Sequence, residues 1–213
     1  MLRKEHQERV LSAGKDPFVT ADDPFSRVPP ALAGTPFNTL HFSAATGSTN
    51  DDAAQVLGDR SARGCTLITD YQTKGAGRKG RSWIAPASTS LLFTTVLPNE
   101  LAASRLWIVP FWTALAIRSA LQTHRVAVDL QWPNDLLIEG AKVAGILCIS
   151  RIMGESAWVG CGVGINVQRV DDPELRDILP APAFISDIAD ISREELLISI
   201  LQTFASTLSW LDD

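Results

Sequence analysis

KVAGILCISRIMGESAWVGCGVGINV, residues 142–167, holds two runs of strand-forming residues, 142–150 and 157–167, both rich in β-branched side chains. The second run carries glycine at 160, 162 and 164. Glycine weakens a strand, so three of them imply that something packs closely there, whether a ligand or another stretch of backbone.

Working outward, CTLIT (65–69) and LLFTTVL (91–97) are further strand candidates. In VAVDLQW (126–132), Val126, Val128, Leu130 and Trp132 recur at period two, as on the covered face of a half-buried strand. QWPNDLLIEGAKVAGIL (131–147) reads as a strand, a proline corner, then a hairpin turning near Gly140. Residues 103–122 have helical character, with Pro110 either near the helix start or kinking it. At the tail, Ser192 and Glu195 form a capping box ahead of Leu197, Leu201, Phe204, Leu208 and Leu211, spaced by three and four. The sum is an α/β domain of the α+β type, a mixed sheet flanked by helices.

Two parts are expected along the chain. Residues 1–36 carry five prolines and little periodicity, which predicts a short helix and then an extended or wrapping arm. Residues 37–213 form the main domain, without internal repeat or second linker.

At 213 residues and 46% hydrophobic content the chain can build a full core. Its net charge of -5 and pI near 5.2 exclude a general nucleic-acid binder, which depends on a broad basic surface. Cys65, Cys148 and Cys161 are odd in number and widely spaced, so they are expected to be buried and reduced rather than bridged or metal-bound. The charged start MLRKEHQERV lacks the apolar centre of a secretory signal, and the longest apolar run (106–117) is shorter than the roughly 20 residues of a membrane span. A soluble cytoplasmic protein is expected.

Against this acidic background, TDYQTKGAGRKGRSW (69–83) places Lys74, Arg78, Lys79 and Arg81 among Gly75, Gly77 and Gly80. Glycines allow close backbone approach, and guanidinium forks suit phosphate or carboxylate; a solvated turn is the competing reading. The spacing matches neither a Walker loop nor a dinucleotide turn. TGSTNDDAAQVL (46–57) reads as a short helix capped by Ser48 or Thr49, with Asp51 and Asp52 against its positive end; such a start also offers N–H groups and hydroxyls to a small ligand. Lys142 opens an apolar strand, either snorkelling to water or fixed in a pocket, and Trp132, Asn134 and Asp135 sit at the preceding corner. His6, His41 and His124 are isolated, so neither a zinc cluster nor a Ser-His-Asp triad is visible.

In this order GSTN, YQTKGAGRKGRSW, WPNDLLIEGAKVAGIL and GVGIN resemble the biotin protein ligases over about residues 45–167. The resemblance implies the class II synthetase-like catalytic domain of biotin and lipoate ligases, of the type without an N-terminal DNA-binding domain. It implies biotin and MgATP as substrates, biotinyl-5'-AMP as intermediate, and a carrier-protein lysine as acceptor. By the same resemblance Ser48, Thr49, Asn50, Gln72, Gly75, Ala76, Gly77, Arg78 and Lys142 would bind biotin and its adenylate, with Arg78 and Lys142 catalytic. Arg81, Trp83, Asn134, Asp135 and Asn166 would serve the nucleotide, Trp83 by covering adenine and Asn134, Asp135 and Asn166 as nucleotide or magnesium-side contacts. The implied partner is a biotin carboxyl carrier protein, with no nucleic acid, no membrane, and a monomer or weak dimer as the assembly; no tightly bound cofactor and no protein metal ligands are assigned.

The chain departs from the family pattern twice. Ala76 stands where the family loop commonly has its first arginine, with Lys74 as a candidate replacement. The small β domain that usually follows is expected to be absent, because the sequence stops at Asp213. The alternatives are a lipoate ligase-like acid-adenylating enzyme and a biotin-binding protein impaired in catalysis; a DNA-binding repressor is disfavoured by the acidic balance.

Overall fold

The computed structural model describes residues 23–176, 178 and 181–212. Among the described residues eight strands make one mixed sheet: β1 (Thr39–Ser43), β2 (Cys65–Thr69), β3 (Ser90–Val96), β4 (Leu101–Ala102), β5 (Asp129–Gln131), β6 (Asp135–Ile138), β7 (Ala141–Met153) and β8 (Ser156–Asn166). Their order is β1-β2-β3-β8-β7-β6-β5, with β4 paired to the start of β8. Only β1 and β2 run parallel; every other pairing is antiparallel.

The middle strands are covered on both faces, which is why their sequences read as continuous apolar runs. All residues of β2 and β3 are buried. On one face pack α3 (Val109–Thr123) and, following the short α4 (Pro173–Arg176) in the chain, α5 (Arg193–Thr207), which contribute Ile117, Leu121, Leu197, Leu201 and Phe204 to the main core. Burial of each such side chain contributes about 1.5–3 kcal/mol. On the other face lies the short α2 (Thr49–Val56), whose Ala53 and Val56 meet Leu67, Val96 and Trp158. Adjacent residues divide between the faces as strand alternation requires: Leu67 joins the smaller cluster, Ile68 the main core.

Pro110 sits in the first turn of α3, after a 3-10 segment over Ala103–Ile108, so it begins the helix without kinking it. The capping box at Ser192 and Glu195 is formed, and α5 ends at Thr207 in a 3-10 turn that carries Leu208 and buries Leu211. Residues 23–36 pack inward: Phe25, Val28 (in α1, Val28–Ala31) and Leu32 enter the main core. Arg27 pairs with the largely buried Glu194 of α5 through its backbone N–H and guanidinium. The short helix expected before them falls outside the described residues.

Three local expectations need correction. VAVDLQW is a strand only over Asp129–Gln131; Val126 and Val128 are buried, but Leu130 is 42% and Trp132 74% exposed, because β5 is the outer strand and its end is little covered by the described residues. Ser48 occupies the cap position of α2 without a side-chain capping bond. Cys65 and Cys161 are buried as expected, whereas Cys148 is only half-buried, and all three thiols are free.

Candidate active site

Strand alternation turns GCGVGIN into a trough. Cys161, Val163 and Ile165 face the main core, so Gly160, Gly162 and Gly164 all face the α2 side. Each glycine makes room for a side chain from elsewhere. A Cβ on Gly162 would lie 2.2 Å from Asn50 Oδ1, and one on Gly164 would lie 2.7 Å from Trp83 Cε2. Gly145, the register partner of Gly164 on β7, likewise accommodates the Trp83 indole, 2.9 Å from the position of its missing Cβ.

The cationic loop is a β-hairpin. Trp83 N–H donates to the Gly75 carbonyl at 2.9 Å and Gly77 N–H to the Arg81 carbonyl at 2.7 Å, with Ala76 opposite Ser82. Gly75 is needed for closeness: a Cβ there would fall 2.3 Å from the Trp83 carbonyl oxygen. Lys79 and Gly80 turn the tip with positive φ (57° and 71°). The segment leading into the hairpin is stitched to the approach to α2 by Thr73 N–H to Thr46 O and Lys74 N–H to Gly47 O.

On one side of the Trp83 indole is a small polar pocket of about 30 Å³, lined by Ser48, Thr49, Asn50, Gln72, Ala76 and Leu147 together with the glycine trough. Gln72 Oε1 accepts the Thr49 N–H at 2.9 Å, and Asn50 Nδ2 donates to the Leu147 carbonyl at 3.0 Å. On the other side is a cavity of about 150 Å³ bordered by Arg78, Arg81, Asn134, Lys142 and Asn166, with Ile84, Leu175, Ile178 and Pro182 as its apolar wall. The partition between the two is Trp83, whose Nε1 is buried with no hydrogen-bond acceptor among the described residues.

A bulge aims the lysine. Leu136 pairs with Ala144 but Leu137 with Lys142, so Val143 is an extra residue in β7. An uninterrupted strand would put Lys142 on the Ala144 face, in the core; the bulge brings its ammonium over Gly145, 5.4 Å from the Trp83 ring centre. Asp135 fixes it from the neighbouring strand at 2.8 Å, with the two side chains 15% and 26% exposed. Arg78 reaches down from the hairpin tip to Asn134 Oδ1 at 3.2 Å, and Asn134 is itself held by the Ile146 backbone on both sides. Asn166 Nδ2 donates to the carbonyls of Lys142 and Ala183, pinning the strand end beneath the cavity.

The residues singled out from the sequence therefore meet around two linked cavities. Ser48, Thr49, Asn50, Gln72 and Ala76 line the smaller; Gly77, Arg78, Arg81, Asn134, Lys142 and Asn166 line the larger; Trp83 lines both. Gly75 shapes the hairpin, and Asp135 acts on Lys142 rather than forming a cavity wall. Lys74 lines neither cavity: it is exposed and borders a groove of about 470 Å³ that shares Gln72 and Trp83 with the smaller pocket. Sequence reasoning missed Gly145, Leu147 and Thr94. The signal for Thr94 was the pair of hydroxyls, Thr94 and Thr95, inside the otherwise apolar run LLFTTVL.

The fold and site define a class: a mixed-sheet domain in which a glycine trough links a small amide-and-hydroxyl pocket to a cationic cavity. Residues 46–166 match the biotin/lipoate A/B protein ligase family, and the chain belongs to that family. It is 31% identical over 159 residues to a biotin--[acetyl-CoA-carboxylase] ligase of Mycobacterium tuberculosis, covering 69% of this chain and 57% of that protein. With a Paracoccus denitrificans protein of the same name it shares 36% over 137 residues, 61% of this chain and 55% of that one. The chain thus spans little more than half the length of these curated relatives. The biotin protein ligase of Aquifex aeolicus, solved in complex with biotin and ATP, superposes with a TM-score of 0.64 at 26% identity, over 83% of this chain and 73% of that one.

Proposed function

We propose that this chain is the catalytic domain of a biotin protein ligase. It would activate biotin with MgATP as biotinyl-5'-AMP and pass the biotinyl group to a lysine of a biotin carboxyl carrier protein. The observation that carries this reading is the convergence of Lys142 and Arg78 on the cavity beyond Trp83, next to the pocket formed by Thr49, Asn50 and Gln72. That pocket takes the acid, and the cationic cavity with its apolar wall takes the nucleotide.

The chemistry suits a site without a histidine base. A carboxylate is already ionised at neutral pH, so one of its oxygens attacks the α-phosphorus directly while the bond to the pyrophosphate oxygen breaks. Lys142 and Arg78 offset the negative charge of two anions brought together and of the transition state between them. Mg²⁺ enters as part of the MgATP substrate, held chiefly by phosphate oxygens. In the second step the acceptor lysine, as free amine, attacks the acyl carbon and AMP leaves. A closed hairpin keeps water from the mixed anhydride meanwhile.

Ala76 favours a second reading, a biotin binder with weakened catalysis. The wall at this position carries a methyl group, and Lys74 is exposed and does not line the pocket. No helix among the described residues is long and apolar enough to cross a membrane, and the proposed setting is the cytoplasm, as a monomer or weak dimer without nucleic acid. The test is transfer of labelled biotin to a purified carrier domain with MgATP. Label on the carrier supports the ligase. Tight biotin binding with no adenylate detected by mass spectrometry would move the protein to the second reading, and failure to bind biotin would remove both.

A further inference from the structure

Thr94 lines neither cavity, yet the polar wall of the acid pocket depends on it. It is fully buried in β3, in register with Gly162, and its Oγ1 lies 2.8 Å from both Asn50 Oδ1 and Thr49 Oγ1. One hydroxyl has one proton, so only one of these contacts can use it.

Backbone groups decide which. The Leu147 carbonyl can only accept, so Asn50 must turn Nδ2 toward it and Oδ1 toward Thr94. A carboxamide oxygen only accepts, so the Thr94 proton goes to Asn50. The remaining contact, between the two hydroxyls, then holds only if Thr49 is the donor. Its rival acceptor, Gln72 Oε1, is farther at 3.2 Å and already takes the Thr49 N–H. That same N–H commits Gln72 to show oxygen to α2, which frees its Nε2 for the pocket.

We propose that Thr94 is a positioning residue that sets the hydrogen-bond direction of Thr49 in the acid pocket, so that Thr49 Oγ1 meets the ligand as an acceptor beside Gln72 Nε2, which the Thr49 N–H already turns into a donor. This rests on the pocket being the acid site of the proposed function. A wall so polarised selects an acid whose head group carries an N–H beside a carbonyl oxygen, the edge of a cyclic urea. Biotin has such an edge; a dithiolane head group has neither group.

The experiment is calorimetric binding of biotin and of a biotin derivative methylated on the ureido nitrogens, to wild type, Thr94→Val and Thr94→Ser. Wild type should prefer biotin. Thr94→Val should weaken biotin by about tenfold, the worth of one directed hydrogen bond, while the methylated ligand changes little, so that the preference collapses. Thr94→Ser should restore it, and KM for ATP should stay put in all three. Thr94→Ala reads the same loss should the valine variant not fold. A folded Thr94→Val or Thr94→Ala protein that still prefers biotin as wild type does would overturn the inference alone. Wild type without affinity for biotin would instead remove the functional reading, and this inference with it.

Discussion

Trp83 lies across Gly164 so closely that a Cβ on the glycine would meet indole carbons at 2.7 and 2.9 Å and Nε1 at 3.0 Å. The indole therefore sits in the trough between the smaller pocket, which holds Thr49 and Gln72, and the larger cationic cavity. A ligand entering the smaller pocket therefore meets the indole as part of its wall. Its buried N–H has no acceptor among the described residues.

Gly164→Ala should push the indole off the strand. The expected cost is about 1–3 kcal/mol of stability, as for other overpacked positions, with a red-shifted tryptophan emission. Alanine at 164 with unchanged melting and emission would mean that the indole does not rest on this glycine in solution.

Lys142→Ala should slow adenylation by about 10²–10³-fold, the usual loss for a group that stabilises transition-state charge. Because Asp135 loses its ionic partner at the same time, the double variant with Asp135→Asn separates catalysis from stability. The double variant should regain melting temperature but no activity. Single-turnover adenylate formation and circular dichroism measure the two.

Arg78→Gly removes the only tie between the hairpin tip and Asn134 recorded among the described residues. The adenylate should then escape faster, and released biotinyl-AMP should rise in the absence of a carrier protein. An unchanged off-rate in a stopped-flow chase would show that the tip does not hold the intermediate.

Burial pushes the Cys65 thiol up to about 12 from an ordinary 9.0. Between these values the folded protein keeps a proton that the unfolded chain releases. Stability therefore falls as pH rises from about 9 to 12, by up to about 1.4 kcal/mol per pH unit from this group. Urea melts of wild type and Cys65→Ala across that range should differ in slope by this amount, with the variant the flatter.

The sequence made the strands of the sheet's centre legible because they are covered on both faces, and the tail helix because Ser192, Glu195 and the leucine spacing agree. VAVDLQW misled because alternation marks which residues share a face, while what lies over that face is a tertiary fact; Trp132 meets the Phe111 ring but stays 74% exposed. The glycines of β8 announced a close neighbour without naming it, since Asn50 and Trp83 arrive from distant segments. Lys142 left two readings open for a similar reason. The bulge at Val143 that turns it out of the core depends on pairing with β6, which no periodicity within β7 encodes. Thr94 was hidden because its role runs through Thr49 and Asn50.

The most direct test of the central claim is ATP–pyrophosphate exchange by this chain with and without biotin. The two-cavity account predicts exchange that requires biotin, is not supported by lipoate, and falls with Lys142→Ala. Biotin that binds without supporting exchange, or exchange indifferent to biotin, would contradict it.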